Sequence, residues 1–343
     1  MNKECMPNVD KSSRFVIVGV TVLSQHTPKI SGGILMRQLL RYGGGLCLVA
    51  VFLLVGSIPV HAQDAKPTEF MRITKDAKGG EPKAFQTANV KYKCTYDGKT
   101  VYVTLSSVVH VASRGYYERH NDDFDNYDCV LYELVAPKGT IPKPKQDGKS
   151  PLHMIQKLMS AVLGLEHQMD CVDYTPKHFV HSDMSPQEMQ AAMAKRGDDQ
   201  LSLILRILSD MMRQENLQKK KGGPAPPQFD PMSFLDDPYA ASKLKRMMAM
   251  QMVEQGSGGV GETLQQLLID DRNKKCMSVL AEQLKAGKKN VTLFWGAAHM
   301  PDFEKRLRSA YGAQKESADW FTAWNLQLQE TDLLEVLLRM MRE

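Results

Sequence analysis

Two runs rich in β-branched and aromatic residues, Asn89 to Tyr96 and Thr100 to His110, are joined by Asp97-Gly98, and this pattern predicts a hairpin whose glycine tolerates a positive φ. A short helical stretch opens at Gly115-Tyr116-Tyr117-Glu118-Arg119, and Tyr127 to Val135 returns as another apolar, strand-like run. Strand, helix, strand in that order predicts two parallel strands with His110 and Glu133 close to their carboxyl ends, where an open α/β sheet places its ligands. From about Pro151 to Gly256 the pattern is helical and holds 13 of the 21 methionines. Within it Ser185-Pro186-Gln187-Glu188 reads as a capping box, and Leu201, Leu205, Leu208 and Met212 recur at helical spacing. Residues 219–227, rich in Lys, Gly and Pro, divide this section as a linker, and Met247, Met248, Met250 and Met252 follow on a basic helix.

The later part of the chain regains a strand pattern. A helix from Glu262 to about Lys285 carries Leu264, Leu268, Cys276 and Leu280 on its apolar stripe, and Arg272 falls on the same face, pointing inward. Asn290 to Trp295 reads as a buried strand ending in Gly296-Ala297-Ala298-His299; a helix, a strand around Trp320 to Leu326 and an amphipathic final helix over residues 329–343 follow. Residues 63–86 lack periodicity and read as a flexible lead-in. The expected fold is mixed α/β, a single domain over residues 87–328 with a helical insertion at about 151–256.

Charge changes the picture once it is divided along the chain. Of the formal +5, residues 1–62 contribute +4, from six Lys and Arg against two acids, so the remainder has no basic field to attract nucleic acid. The same segment reads as a leader: Arg37 and Arg41, the apolar stretch Leu46 to Val55, then Val60-His61-Ala62 as a cleavage site. Met36 is the expected start, with residues 1–35 an over-long reading frame and 36–62 the signal peptide, and the mature protein is expected in the periplasm or secreted. The alternative is an uncleaved anchor, for which the apolar run is short. Export makes disulfides accessible to Cys94, Cys129, Cys171 and Cys276, but no particular pairing follows from their spacing. The methionine-rich helices read first as core or cap; a membrane-surface role has only Lys243, Lys245 and Arg246 in its favour.

Two histidines occupy like positions, each ending a strand-like run: Ser107-Val108-Val109-His110 and Gly296-Ala297-Ala298-His299, 189 residues apart. If both strands share one parallel sheet, the imidazoles converge at one rim and Glu133 joins them from the adjacent strand. Two neutral imidazoles and a carboxylate can hold a divalent metal ion and lower the pKa of its water, the chemistry of a hydrolytic centre. His178 and His181 could share a helical face and add a ligand, though the nearby Pro176 argues for a surface loop.

Taken together, the strand ending in Val-Val-His-Val with Tyr116-Tyr117 after it, residues 127–135, Leu163-Gly164-Leu165-Glu166-His167-Gln168, Asp183-Met184-Ser185-Pro186, Asp271-Arg272-Asn273 and Gly296-Ala297-Ala298-His299-Met300-Pro301 resemble the TraB/GumN family, which includes pheromone-shutdown proteins and is similar to the Tiki metalloproteases. The likeness spans roughly residues 90–328. It implies a core of two related α/β halves around a central sheet, each with a Gly-x-x-His motif, here begun by Ser107 and Gly296. It further implies His110, His299 and Glu133 as ligands of Zn, Mn or Co. Glu133 and Arg272 take catalytic roles, and Arg272 with Asn273 contacts a peptide or protein substrate. This chain departs from the family pattern in Ser107 for Gly and Asp271 for Glu. Arg272 has a second reading, an internal ion pair with Glu133 or Asp271. A non-catalytic peptide-binding protein is the alternative to a metallohydrolase.

Overall fold

The computed structural model describes residues 67–77, 80–142, 160–196, 237–255, 269–332 and 336. The leader, the Leu201 to Met212 repeat, the linker at 219–227, Leu264, Leu268 and residues 333–335 and 337–343 of the expected final helix lie outside the described residues; residues 329–332, expected to begin that helix, are irregular.

The hairpin forms as the sequence predicts. Strand β2 (Pro82–Tyr96) pairs antiparallel with β3 (Lys99–Val108), and Asp97 and Gly98 turn the chain with φ of 48° and 70°. Positive φ at both positions is the conformation of a tight hairpin turn, and it is the reason for an Asp-Gly pair there. Strand β1 (Met71–Lys75) extends the sheet from the start of β2, and Phe70 and Phe85 are buried, so the expected flexible lead-in is corrected: from residue 70 onward much of it is sheet and core. Alternation explains why: Phe85 faces one core and Ala88 and Val90 the other.

Beyond β3 come the two-residue strand β4 (Val111–Ala112), helix α1 (Arg114–Phe124) and β5 (Cys129–Tyr132). Strand β6 (Glu166–His167) pairs with β4 and leads into the short helix α2 (Gln168–Cys171), after which β7 (Phe179–His181) pairs parallel with β5. The segment 160–196 is therefore not part of a purely helical insertion, and His178 and His181 are not on a helix. Strand β7 closes one end of the main sheet, and His181 Nε2 lies 2.6 Å from the Leu134 carbonyl oxygen.

Helix α3 (Pro186–Lys195) starts with the expected capping box: the Ser185 side chain accepts from the Glu188 N–H, and the Glu188 carboxylate accepts from the Ser185 N–H at 2.7 Å. Helix α4 (Ala240–Gln255) sets Ala249 in the core with Met248 and Met252 beside it, while Met250 is exposed. Two of its basic side chains are paired, Lys243 with Asp237 at the surface and Arg246 with Glu81 and the Leu326 carbonyl.

Helix α5 (Asp271–Lys285) buries Cys276 and Leu280 as its stripe predicts. Strand β8 (Asn290–Gly296), a 3-10 turn (Ala297–His299), helix α6 (Met300–Tyr311) and β9 (Gln314–Asn325) complete the described chain. The result is a mixed α/β fold. Its seven-stranded sheet runs β1-β2-β3-β8-β5-β7, with β9 paired to β2. Strand β8 runs parallel to both neighbours, Ser107 opposite Trp295 and Leu131 opposite Leu293. The strand order, with β8 between β3 and β5, is what brings the two histidine loops and Glu133 to one rim. One face packs Leu293 and Trp295 against α5 and α6; the other packs Phe294 against α1 and the aromatic side chains around it.

Among the described residues no helix is long and apolar enough to cross a membrane, and the four cysteines are free thiols. Burial pushes Cys94 up to about 11 and Cys129 up to about 12.

Candidate functional site

The carboxyl ends of β3, β5, β7 and β8 deliver the site, and each strand contributes through the residues just past it. Glu133 follows β5 and is nearly enclosed. Its Oε1 accepts from the Arg272 guanidinium at 2.6 Å, and its Oε2 accepts from the Gly296 N–H at 2.7 Å. Arg272 reaches out of the first turn of α5 and also donates to both oxygens of Asp183, at 3.0 Å and 2.6 Å. Asp183 itself follows β7 and is buried. The guanidinium is thus held between two carboxylates over the Trp295 ring, 5.4 Å from its centroid.

Burial alone would raise the Glu133 carboxyl, but His299, Arg272 and His110 together hold it well below the usual carboxylate range. Burial likewise opposes the Arg272 charge, and Glu133 and Asp183 more than restore it. The neighbours of Glu133 thus favour its ionised form.

His299 is buried in the 3-10 turn after β8, with Nε2 3.5 Å from Glu133 Oε1 and Nδ1 2.6 Å from Asn273 Oδ1. His110 is exposed at the rim, and its Nδ1 stands 3.0 Å from Gln168 Oε1. Between them is Gly296. A Cβ there would stand 3.2 Å from Glu133 Oε2, 3.7 Å from His299 Cδ2 and 3.8 Å from His110 Nε2. The missing side chain leaves a small space onto which two imidazoles and a carboxylate face, which is the physical reason for glycine at that position.

Four expected residues, His110, Glu133, Arg272 and His299, come together. The others take different places. Asn273 is fully buried and donates to the His299 carbonyl at 3.1 Å and to Asp302 at 2.8 Å, so it positions the histidine turn and has no surface for substrate. Ser107 is buried, its hydroxyl donating to the Phe70 carbonyl, a tie within the core. Arg272 takes the internal ion pair with Glu133; Asp271 instead pairs with Arg196. Asp183 and Gln168 were missed as site residues. Asp183 would have been found by reading Phe179–His181 as one more parallel strand ending at the same rim. Gln168 needed the β4–β6 pairing, which two residues a strand cannot signal.

The donor chemistry suits a divalent ion, two imidazole nitrogens beside a carboxylate. As placed, however, no three His, Cys, Asp or Glu side chains among the described residues form a group that could hold a metal ion. Both Glu133 oxygens accept a hydrogen bond, from Arg272 and from the Gly296 N–H, so the residues that fit an ion with no other engagement of the facing atom are His110 and His299, with Glu133 as their charged neighbour. Gly256-Ser257-Gly258-Gly259-Val260-Gly261 has the spacing of a dinucleotide-binding loop, but the element before it is helix α4, whereas that fingerprint requires a strand. Comparison of the chain with protein-family models, curated proteins and solved structures gives no match.

Proposed function

We propose that this rim is the catalytic centre of an exported, peptidase-like hydrolase of TraB/GumN type that takes a divalent metal ion at His110 and His299. The observation that carries the reading is the convergence of His110 Nε2, the His299 ring and Glu133 Oε2 on the space left by Gly296. A divalent ion held there supplies a Lewis acid and a water made nucleophilic near neutral pH. The chain's own groups supply the rest. Glu133 Oε1, 3.5 Å from His299 Nε2, places negative charge beside the two imidazoles. Arg272 and the Gly296 N–H keep the carboxylate from turning away, and exposed His110 marks the side open to a peptide.

The test is metal content by plasma mass spectrometry of the protein purified without chelator or affinity nickel, beside a His110→Ala, His299→Ala double variant. Near-stoichiometric metal in the parent, lost in the variant, is expected; no metal in either after Zn, Mn and Co reconstitution sinks the reading. A second reading, capture of a peptide without cleavage, is favoured by the same engagement of Glu133 and Arg272 with each other. It predicts peptide affinity unchanged by chelator, whereas the hydrolase reading predicts chelator-sensitive cleavage.

A further inference from the structure

We infer that Gln168 and Asn273 are paired positioning residues, each holding one site histidine by its Nδ1 and so leaving an unprotonated Nε2 on the site side, at His110 toward the space beside Gly296 and at His299 beside Glu133 Oε1. The inference rests on the reading of that space as the reaction centre, but its geometry stands independently. At His299, the Asn273 side-chain nitrogen faces the His299 carbonyl at 3.1 Å and the Asp302 carboxylate at 2.8 Å. Both of those partners only accept, so the amide is oriented by them, and Oδ1 is the atom 2.6 Å from His299 Nδ1. An amide oxygen cannot donate. The hydrogen therefore sits on Nδ1, and in the neutral ring Nε2 carries the lone pair.

At His110 the tie runs through a different element. Gln168 Nε2 stands 2.8 Å from the Tyr174 hydroxyl and Oε1 3.0 Å from His110 Nδ1; a hydroxyl both donates and accepts, so Oε1 as the acceptor at His110 is part of the inference. The Gln168 backbone N–H also donates to the His110 carbonyl at 2.9 Å, and Val111 pairs with His167 in the β4–β6 ladder. One residue thus holds His110 by main chain and side chain together, on a loop whose imidazole is otherwise exposed. Gln168 is itself buried, so water does not compete for these bonds. In both cases the acceptor is a neutral amide. It selects the tautomer without adding negative charge to a site that already holds Glu133 and Asp183. Histidines that bind metal commonly have the far ring nitrogen tied in this way.

The experiment is long-range proton–nitrogen NMR of the imidazoles in metal-free protein labelled with nitrogen-15 histidine, above the pH at which free imidazole titrates, in the parent and in Gln168→Met and Gln168→Glu. The parent should show both His110 and His299 protonated on Nδ1. Gln168→Met, similar in size but lacking the acceptor, should move His110 toward the Nε2-protonated form while His299 keeps its signal, which reports an intact fold. Gln168→Glu restores an acceptor and should restore the parent pattern at His110. An Nε2-protonated His110 in the parent, or an unmoved His110 in Gln168→Met, overturns the inference. Cobalt binding then separates it from the functional proposal. If the parent binds cobalt, Gln168→Met should weaken it by roughly 10- to 100-fold, and unchanged affinity counts against the positioning role. If the parent binds none, the metallohydrolase reading fails, while the tautomer result still decides the inference.

Discussion

Two single positions control the site. A methyl group on Gly296 would stand 3.2 Å from Glu133 Oε2, close enough that the carboxylate must give by a few tenths of an ångström. Gly296→Ala should therefore leave an expressed, folded protein whose cobalt uptake falls well below the parent's; equal uptake by spectroscopic titration would refute the claim that this space receives the ion. Arg272 differs in kind, because its removal strands two buried carboxylates, Glu133 and Asp183. Breaking a buried pair from one side costs about 3–5 kcal/mol, so Arg272→Met should lower the denaturant midpoint by that equivalent. A loss below about 1 kcal/mol, the scale of an exposed pair, would mean that water reaches these groups. His110 and His299 were legible in the sequence because each ends a strand-like run. The locked state of Arg272 was not, since an arginine on an apolar stripe looks the same whether it meets a carboxylate of the protein or one of a ligand.

At the scale of elements, the reliable signals were local ones. The Asp97-Gly98 turn and the Ser185 box need only their own few residues, and both appear as predicted. Ser185→Ala removes the acceptor for the Glu188 N–H and should cost about 1 kcal/mol, measured as a shift in the unfolding midpoint; no shift would show that α3 is held by its ties to α5 alone, such as Lys275 to Glu188. Elements that owe their form to distant partners were missed. Strand β1 exists because β2 offers it an edge, and β7 because β5 does. Three to five residues carry too little periodicity to announce a strand unaided. The segment 160–196 looks helical from its capping box and methionines, yet its contribution to the site is Asp183, two residues past strand β7, and Gln168, the first residue of the short helix α2.

For the whole molecule, acid stability should have two distinct origins. His120 is fully enclosed by aromatic rings, and burial with the nearby Arg119 lowers it to about 3. The unfolded chain takes up its proton near pH ~6.5 while the native state cannot. Stability therefore falls by up to about 1.4 kcal/mol per pH unit as pH drops from that value toward the folded one. Glu133 has the depressed value of a paired carboxylate, so its contribution is complete above its ordinary range and is lost only as pH falls through its lower folded value. His120→Phe should therefore flatten the denaturant midpoint between about pH 6.5 and about pH 5, leaving the steeper acid limb in place. If the variant keeps the parent's slope in that interval, His120 is not buried neutral.

The place of β8 also has a consequence in time. Strand β3 ends at Val108, and its parallel neighbour does not begin until Asn290. At the usual ~5–20 residues per second of synthesis, the hairpin waits roughly 10–40 s with one apolar edge unpaired. Until the ribosome has made most of the chain, β3 and β5 lack the strand that lies between them, so the nascent protein stays open to mispairing for nearly the whole of its synthesis.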